Sequence, residues 1–159
     1  HGEMLGAHSL YQKGVLYDRA CRLPAVFSGP GVTAGRRPQL MSHVDLMPTV
    51  LEAFGLIQPD GVQGTSQMKV LRDGRTPGPA FQFVEFNGYI QGGTRTRATV
   101  SEDWKYVWAE NDLEMLFHLA DDPDECRDLV GDPAAAEILS AHRAALRDWR
   151  ERTGDICTL

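Results

Sequence analysis

Between residues 58 and 79 the chain carries Pro59, Gly61, Gly64, Gly74, Pro77, Gly78 and Pro79. Proline fixes φ and removes a backbone donor, and glycine leaves the backbone unconstrained, so no long helix or strand is expected to run through this stretch. The chain is therefore expected to be assembled from residues 1–57 and residues 80–159, with 58–79 as a surface crossing between them. With 159 residues, 42% of them hydrophobic, there is material for one core or one and a half.

The two stretches carry different patterns. In the first, Val15 to Cys21 has room for a short helix, and the apolar run Pro24 to Phe27 closes on Ser28-Gly29-Pro30-Gly31, as a buried strand ending in a turn would. A helix is expected from Asp45, a good N-cap, through Pro48 in the first turn to Gly55 at the C′ position, with Leu46, Val50, Leu51 and Phe54 on one face. Strand followed by helix reads as the end of an α/β layer. In the second stretch, Phe81–Phe86, Thr94–Val100, Lys105–Ala109 and Met115–Leu119 read as short strands, the middle pair joined by a hairpin turn at Ser101-Glu102-Asp103. Asp132 and Pro133 open a last helix, with Ile138, Leu139, His142, Leu146 and Trp149 at helical spacing and Gly154 ending it. The expected class is α/β: a layered portion followed by a small α+β subdomain, an antiparallel sheet with a C-terminal helix.

Charge and composition exclude some functions. The formal net charge is -6, which repels phosphate backbones, so no nucleic-acid partner is expected. The basic residues are spread along the chain, and no apolar run approaches the roughly 18 residues of a bilayer span, so no membrane partner is expected either. Cys21, Cys126 and Cys157 are odd in number and lack metal-type spacing, which reads as three free thiols and leaves the compartment open.

The residues that could carry chemistry cluster at the start. His1, ahead of Gly2, can present a ring nitrogen to a metal, or it is a surface histidine. Lys13, beside Gly14, is a compact ammonium suited to clamping a tetrahedral anion and offsetting charge on a leaving oxygen, or it is a solvated loop lysine. His8 is a candidate general acid or supporting donor, or it bonds the loop backbone. Glu3 and Asp18 read as solvated carboxylates and Arg22 as an ion-pairing residue. Asp45 reads as a helix cap despite the neighbouring Ser42-His43, because no G-x-S-x-G elbow is present. His118 and His142 read as packed histidines, and Trp104, Trp108 and Trp149 as core bulk.

Taken in order, these segments resemble the type I sulfatases of the alkaline phosphatase superfamily, including arylsulfatases and phosphonate monoester hydrolases. The segments are HGEMLGAHSLYQKG, YDRACRLPAVFSGPG, SHVDLMPTVLEAFGL, DGVQGTS, RTRATVSEDWKYVW and MLFHLADDPDE, and in this order the resemblance runs along nearly the whole chain. The resemblance implies the C-terminal portion of an alkaline-phosphatase-like α/β sandwich: residues 1–57 from the catalytic domain, 58–79 the crossing, and 80–159 the small C-terminal subdomain. It implies that His1 is the second member of a metal-binding Asp-His pair, and that Lys13 is the lysine contacting the transferring sulfate or phosphoryl oxygens. His8 matches a histidine often seen in the same loop.

The implied activity is hydrolysis of small-molecule sulfate monoesters. It would use a divalent metal, calcium first with manganese or zinc possible, and a formylglycine made from the Cys or Ser of a C/S-x-P/A-x-R motif. That motif is absent here, since Cys21-Arg22-Leu23-Pro24 does not fit it. The chain opens directly on His1-Gly2-Glu3, so it is expected to be the C-terminal fragment of a larger enzyme, inactive alone, with the missing N-terminal part as its partner. A phosphonate or phosphate ester hydrolase on the same scaffold, and a non-catalytic binding or structural remnant, are the alternatives.

Overall fold

A computed structural model describes residues 1–74, 78–88, 94–110 and 113–157. The chain forms two compact units, His1–Pro24 with Phe83–Leu159, and Ala25–Gln82.

The first unit is built on a four-stranded sheet in the order β1-β2-β3-β4: β1 Gln82–Phe86, β2 Thr96–Val100, β3 Trp104–Ala109 and β4 Leu113–His118. The register runs antiparallel, with Ala98 opposite Val107 in β2–β3 and Tyr106 opposite Leu116 in β3–β4. Successive side chains of a strand point to opposite faces, and β3 is buried on both. Tyr106 and Trp108 pack with Leu116, Leu139 and Leu146 beneath α4, Ala136–Thr153. Phe83 stacks on Trp149 at 5.2 Å between ring centroids. On the other face, Val107 and Ala98 meet Leu16, with Cys21 and Met115 against them. The N-terminal segment is thus the second cover of the small sheet. Its helix α1, Asp18–Cys21, is a single turn.

Local sequence accounts for the ends of α4. The Asp132 carboxylate accepts from the Ala134 N–H at 2.9 Å, and Pro133 occupies the first turn. That turn is 3₁₀ and leads into α4, which ends on Gly154 in the left-handed region.

The second unit holds α2, Leu46–Ala53, and α3, Met68–Asp73. Helix α2 is entered through a 3₁₀ turn, His43–Asp45. Ser42 and Asp45 form a capping box in which the Asp45 carboxylate accepts from Ser42 N–H at 2.9 Å, and its other oxygen accepts from Thr65 N–H at 2.9 Å. Thr49 adds a second link, accepting from Gln67 N–H at 2.9 Å. Gly64 is demanded by this staple, since a Cβ there would lie 1.9 Å from the Val44 carbonyl oxygen.

Three local readings change. Pro24 to Phe27 forms no strand, and Val26 is 92% exposed, because the run has no ladder partner among the described residues. The apolar side of α2 faces outward: Leu46, Val50 and Phe54 are exposed, whereas Pro48 and Thr49 are buried. Residues 68–73, inside the stretch read as a crossing, form α3, with Met68, Val70 and Leu71 buried.

Candidate functional site

The candidate residues His1, His8 and Lys13 lie on one closed segment. Its stem is tied to α1, with Gly2 N–H donating to Ala20 O at 2.9 Å and Glu3 N–H to Arg19 O at 3.1 Å. Met4, buried at the base, closes the loop by donating its N–H to Gln12 O at 2.9 Å. This brings the residues beginning at His1 beside those leading into Lys13. Within the loop Leu5, His8, Ser9 and Gln12 adopt positive φ of 46°, 52°, 59° and 69°. Such backbone is strained for non-glycine residues, persists only where surroundings enforce it, and concentrates at functional sites.

The three side chains are placed differently. His1 is exposed, and its Nδ1 lies 2.9 Å from the Gly2 carbonyl. Lys13 is exposed between Gln12 and Gly14, whose φ is 115°. His8 is half-buried. Its ring stacks on Tyr17 at 3.9 Å, and its Nε2 lies 2.8 Å from the Asp124 carbonyl. The ring therefore ties the loop to the turn after β4. Among the described residues no group of three or more His, Cys, Asp or Glu side chains is placed to hold a metal ion. His1 alone does not make a divalent-ion site, because such ions take several ligands.

Around this segment the structure adds residues that sequence reasoning missed. Lys105, on β3, is completely buried and pairs with Asp18 at 2.8 Å and Glu125 at 2.9 Å. Glu125 has a φ of 55° and also accepts from the Asp18 N–H. Asp18, read as solvated, is therefore a structural anchor with 17% of its side chain exposed. The signal lay in W-K-Y and D-P-x-E, segments whose pairing only the fold reveals.

Other groups follow their surroundings. Burial, then Glu125 and Asp128, raises the Tyr17 pKa, and burial raises that of the Cys21 thiol. Cys21 is thereby held as a thiol rather than as a nucleophilic thiolate. Arg22 is mostly exposed, 3.7 Å from Asp18. His118 pairs with Asp121 at 2.8 Å, and its ring lies 4.4 Å from that of Trp104.

Known proteins are similar to this chain along nearly its whole length. The family model described as N-sulphoglucosamine sulphohydrolase, C-terminal, matches residues 6–152. A Delta 4,5-hexuronate-2-O-sulfatase of Bacteroides thetaiotaomicron is 30% identical over 98% of this chain and 34% of its own length. Among solved structures, a 2-O GAG sulfatase superposes with a TM-score of 0.90 at 28% identity, covering 98% of this chain and 35% of that one. A phosphonate monoester hydrolase from Silicibacter pomeroyi superposes with a TM-score of 0.76 at 26% identity, over 99% of this chain and 34% of that one. The chain thus spans about a third of the length of the curated relatives it matches. With its whole sheet and nearly all of its terminal helix inside the matched residues 6–152, this chain belongs to the N-sulphoglucosamine sulphohydrolase C-terminal family, the C-terminal part of type I sulfatases.

Proposed function

We propose that this chain is the C-terminal part of a sulfuric ester hydrolase that cleaves small-molecule sulfate monoesters, with sulfated sugars as the substrate class. The observation that carries the reading is likeness over almost the whole chain to proteins named as sulfatases, 2-O-sulfatases among them. Within it, Lys13 is the residue that contacts the sulfate oxygens. An exposed ammonium next to the residue that closes the loop suits an anion that gains charge on its leaving oxygen as the ester bond breaks. His1 is one ligand of a divalent metal, calcium before manganese or zinc, whose other ligands and whose formylglycine lie on the remaining part of the enzyme. A metal bound there would polarise the ester oxygens. His8, engaged by Tyr17 and Asp124, holds the loop that presents Lys13.

The second unit supports a larger assembly. Val26, Phe54 and Ile57 are 92%, 77% and 92% exposed, and Met47 and Val50 lie on the same outward side of α2 as Leu46. Exposed apolar side chains gathered on one side of a helix suit an interaction face, and its occupant in this reading is the rest of the catalytic α/β layer. Taken by itself, the chain is inactive in this reading.

A phosphonate ester reading is carried by the likeness to a phosphonate monoester hydrolase. The test is a panel of 2-O-sulfated and other sulfate esters and phosphonate monoesters, assayed with the whole enzyme and its Lys13→Ala variant. Sulfate ester turnover, reduced roughly 10²-fold by Lys13→Ala, is expected. A preference for phosphonates would transfer the assignment to the second reading, and unchanged kinetics in Lys13→Ala would remove Lys13 from the site.

A further inference from the structure

Lys105, Asp18 and Glu125 form a buried ionic cluster that the proposed chemistry does not use. The Lys105 side chain is 0% exposed, that of Glu125 1% and that of Asp18 17%. Burying charges of both signs is a costly way to stabilise a fold: apolar residues of similar volume often do as well, whereas removing one partner leaves an uncompensated charge. What such a cluster provides is fixed position, and its connections show what it fixes.

Lys105 sits on a central strand, opposite Val100 on one side and Phe117 on the other. Asp18 is the first residue of α1 and is held twice, its carboxylate by Lys105 and its N–H by Glu125 Oε2. Helix α1 in turn holds Gly2 and Glu3 through the carbonyls of Ala20 and Arg19. Those residues enter the loop that Met4 and Gln12 close, immediately before Lys13. A second strut reaches the loop from the same turn, where Asp124 takes His8 Nε2 on its carbonyl at 2.8 Å and Arg19 on its carboxylate at 3.0 Å.

We infer that Lys105 is a positioning residue for the reaction: from the face of the small sheet it sets, through Asp18, Glu125 and α1, where the loop bearing His1, His8 and Lys13 stands. The inference rests on the reading of Lys13 as a sulfate-contacting residue. It gives the W-K-Y and D-P-x-E segments one shared task.

The experiment compares Lys105→Met, Lys13→Ala and the double variant in the whole enzyme, with Glu125→Gln as a gentler second variant that keeps an acceptor for the Asp18 N–H. Small displacements of a catalytic group reach about 10²-fold in rate, so Lys105→Met is expected to lower kcat/KM by about 10- to 100-fold and Glu125→Gln by less. The two lesions should not multiply in the double variant, because both act through Lys13. A purely structural role would lower the folded fraction equally in both backgrounds, and multiplying losses would overturn the inference. Hydrogen exchange gives an arm independent of activity. Faster exchange over residues 1–20, with residues 104–118 still protected, is expected in Lys105→Met, or in Glu125→Gln should the former not fold. Unchanged exchange over residues 1–20 would overturn the inference. An unmodified enzyme that turned over no sulfate ester would instead sink the proposed function, and the exchange arm would still decide the tie.

Discussion

The Arg97 guanidinium meets the Asp155 carboxylate at two points, Nε to Oδ2 and NH2 to Oδ1, both at 2.8 Å. This joins β2 to the residue after the cap of α4. Arg97 is otherwise held by Asn87 Oδ1 at 2.9 Å and the Thr96 carbonyl at 2.9 Å, and its side chain is 2% exposed. Asp155→Ala would leave that buried guanidinium with only the more distant Glu85, at 3.8 Å, as counter-charge, at an expected cost of about 3 kcal/mol. Asp155→Asn, which keeps an acceptor, should cost less. Urea unfolding of the three proteins measures both, and a loss below about 1 kcal/mol for Asp155→Ala would mean that the pair is screened by solvent. The pH dependence has a definite sign. The bond to Arg97 holds the Asp155 carboxyl below its ordinary value, so its contribution is complete above that ordinary value, 3.8. It is lost only as pH falls through the lower folded value.

His142 titrates in a more accessible range. Its Nδ1 lies 2.7 Å from Thr99 Oγ1, its Nε2 lies 3.3 Å from Ser101 Oγ, and the residue is 2% exposed. Burial lowers its pKa from 6.5 to about 4. The unfolded state therefore binds a proton that the folded state does not, wherever the pH lies between those values. Stability is full above about 6.5 and falls with pH until about 4, at up to about 1.4 kcal/mol per unit. The expected total is on the order of 3 kcal/mol. His142→Gln should flatten this part of the profile, as denaturant unfolding at pH 7, 6 and 5 would show. An equally steep loss in the variant would assign the dependence to other groups.

A third network joins the strands to α4 near the β4 edge. Tyr106 donates its hydroxyl to Glu114, which also receives Arg143 through Nε at 2.9 Å and through NH2. The hydrogen bonds from Arg143 lower the Glu114 pKa, while burial and Glu114 raise that of Tyr106. Glu114→Ala strands a phenol in a residue only 1% exposed, at an expected cost of about 2 kcal/mol. Tyr106→Phe removes the donor and leaves Glu114 with Arg143, so about 1 kcal/mol is expected. In the double variant the losses should fall short of their sum. Additive losses would show that the hydroxyl and the carboxylate are not coupled.

The strands of the small sheet were legible because short runs rich in aromatic and β-branched residues lie between turn residues. Helix α4 was legible because Asp132-Pro133 and Gly154 mark its ends. The Pro24–Phe27 run misled because an apolar run becomes a strand only beside a ladder partner, and nothing local reveals whether one exists. Helix α2 had the expected period, but period states that a face is apolar and not that this chain covers it. Around the site, the composition of the first residues indicated Lys13, His1 and His8. What holds them was hidden: Lys105 and Asp18 are separated by 87 residues, and a strand lysine read alone is a solvated one.

The glycine after His1 can be tested directly. A Cβ at Gly2 would lie 2.1 Å from the Arg19 carbonyl oxygen, the same backbone that receives Glu3 N–H. The residue is thus required by close approach, unlike Gly6, whose φ is 95° and where an added Cβ meets nothing within 4 Å. Gly2→Ala must push residues 1–3 away from α1, at about 1–3 kcal/mol for an overpacked contact. Gly6→Ala should cost only the left-handed conformation, about 1 kcal/mol. If the contact with α1 sets His1 in place, Gly2→Ala should also reduce kcat/KM of the whole enzyme by about 10-fold or more, with Gly6→Ala much milder. Thermal midpoints and steady-state kinetics on both variants separate the two costs. Full activity in Gly2→Ala, with a lowered midpoint, would show that the segment yields without carrying His1 out of place.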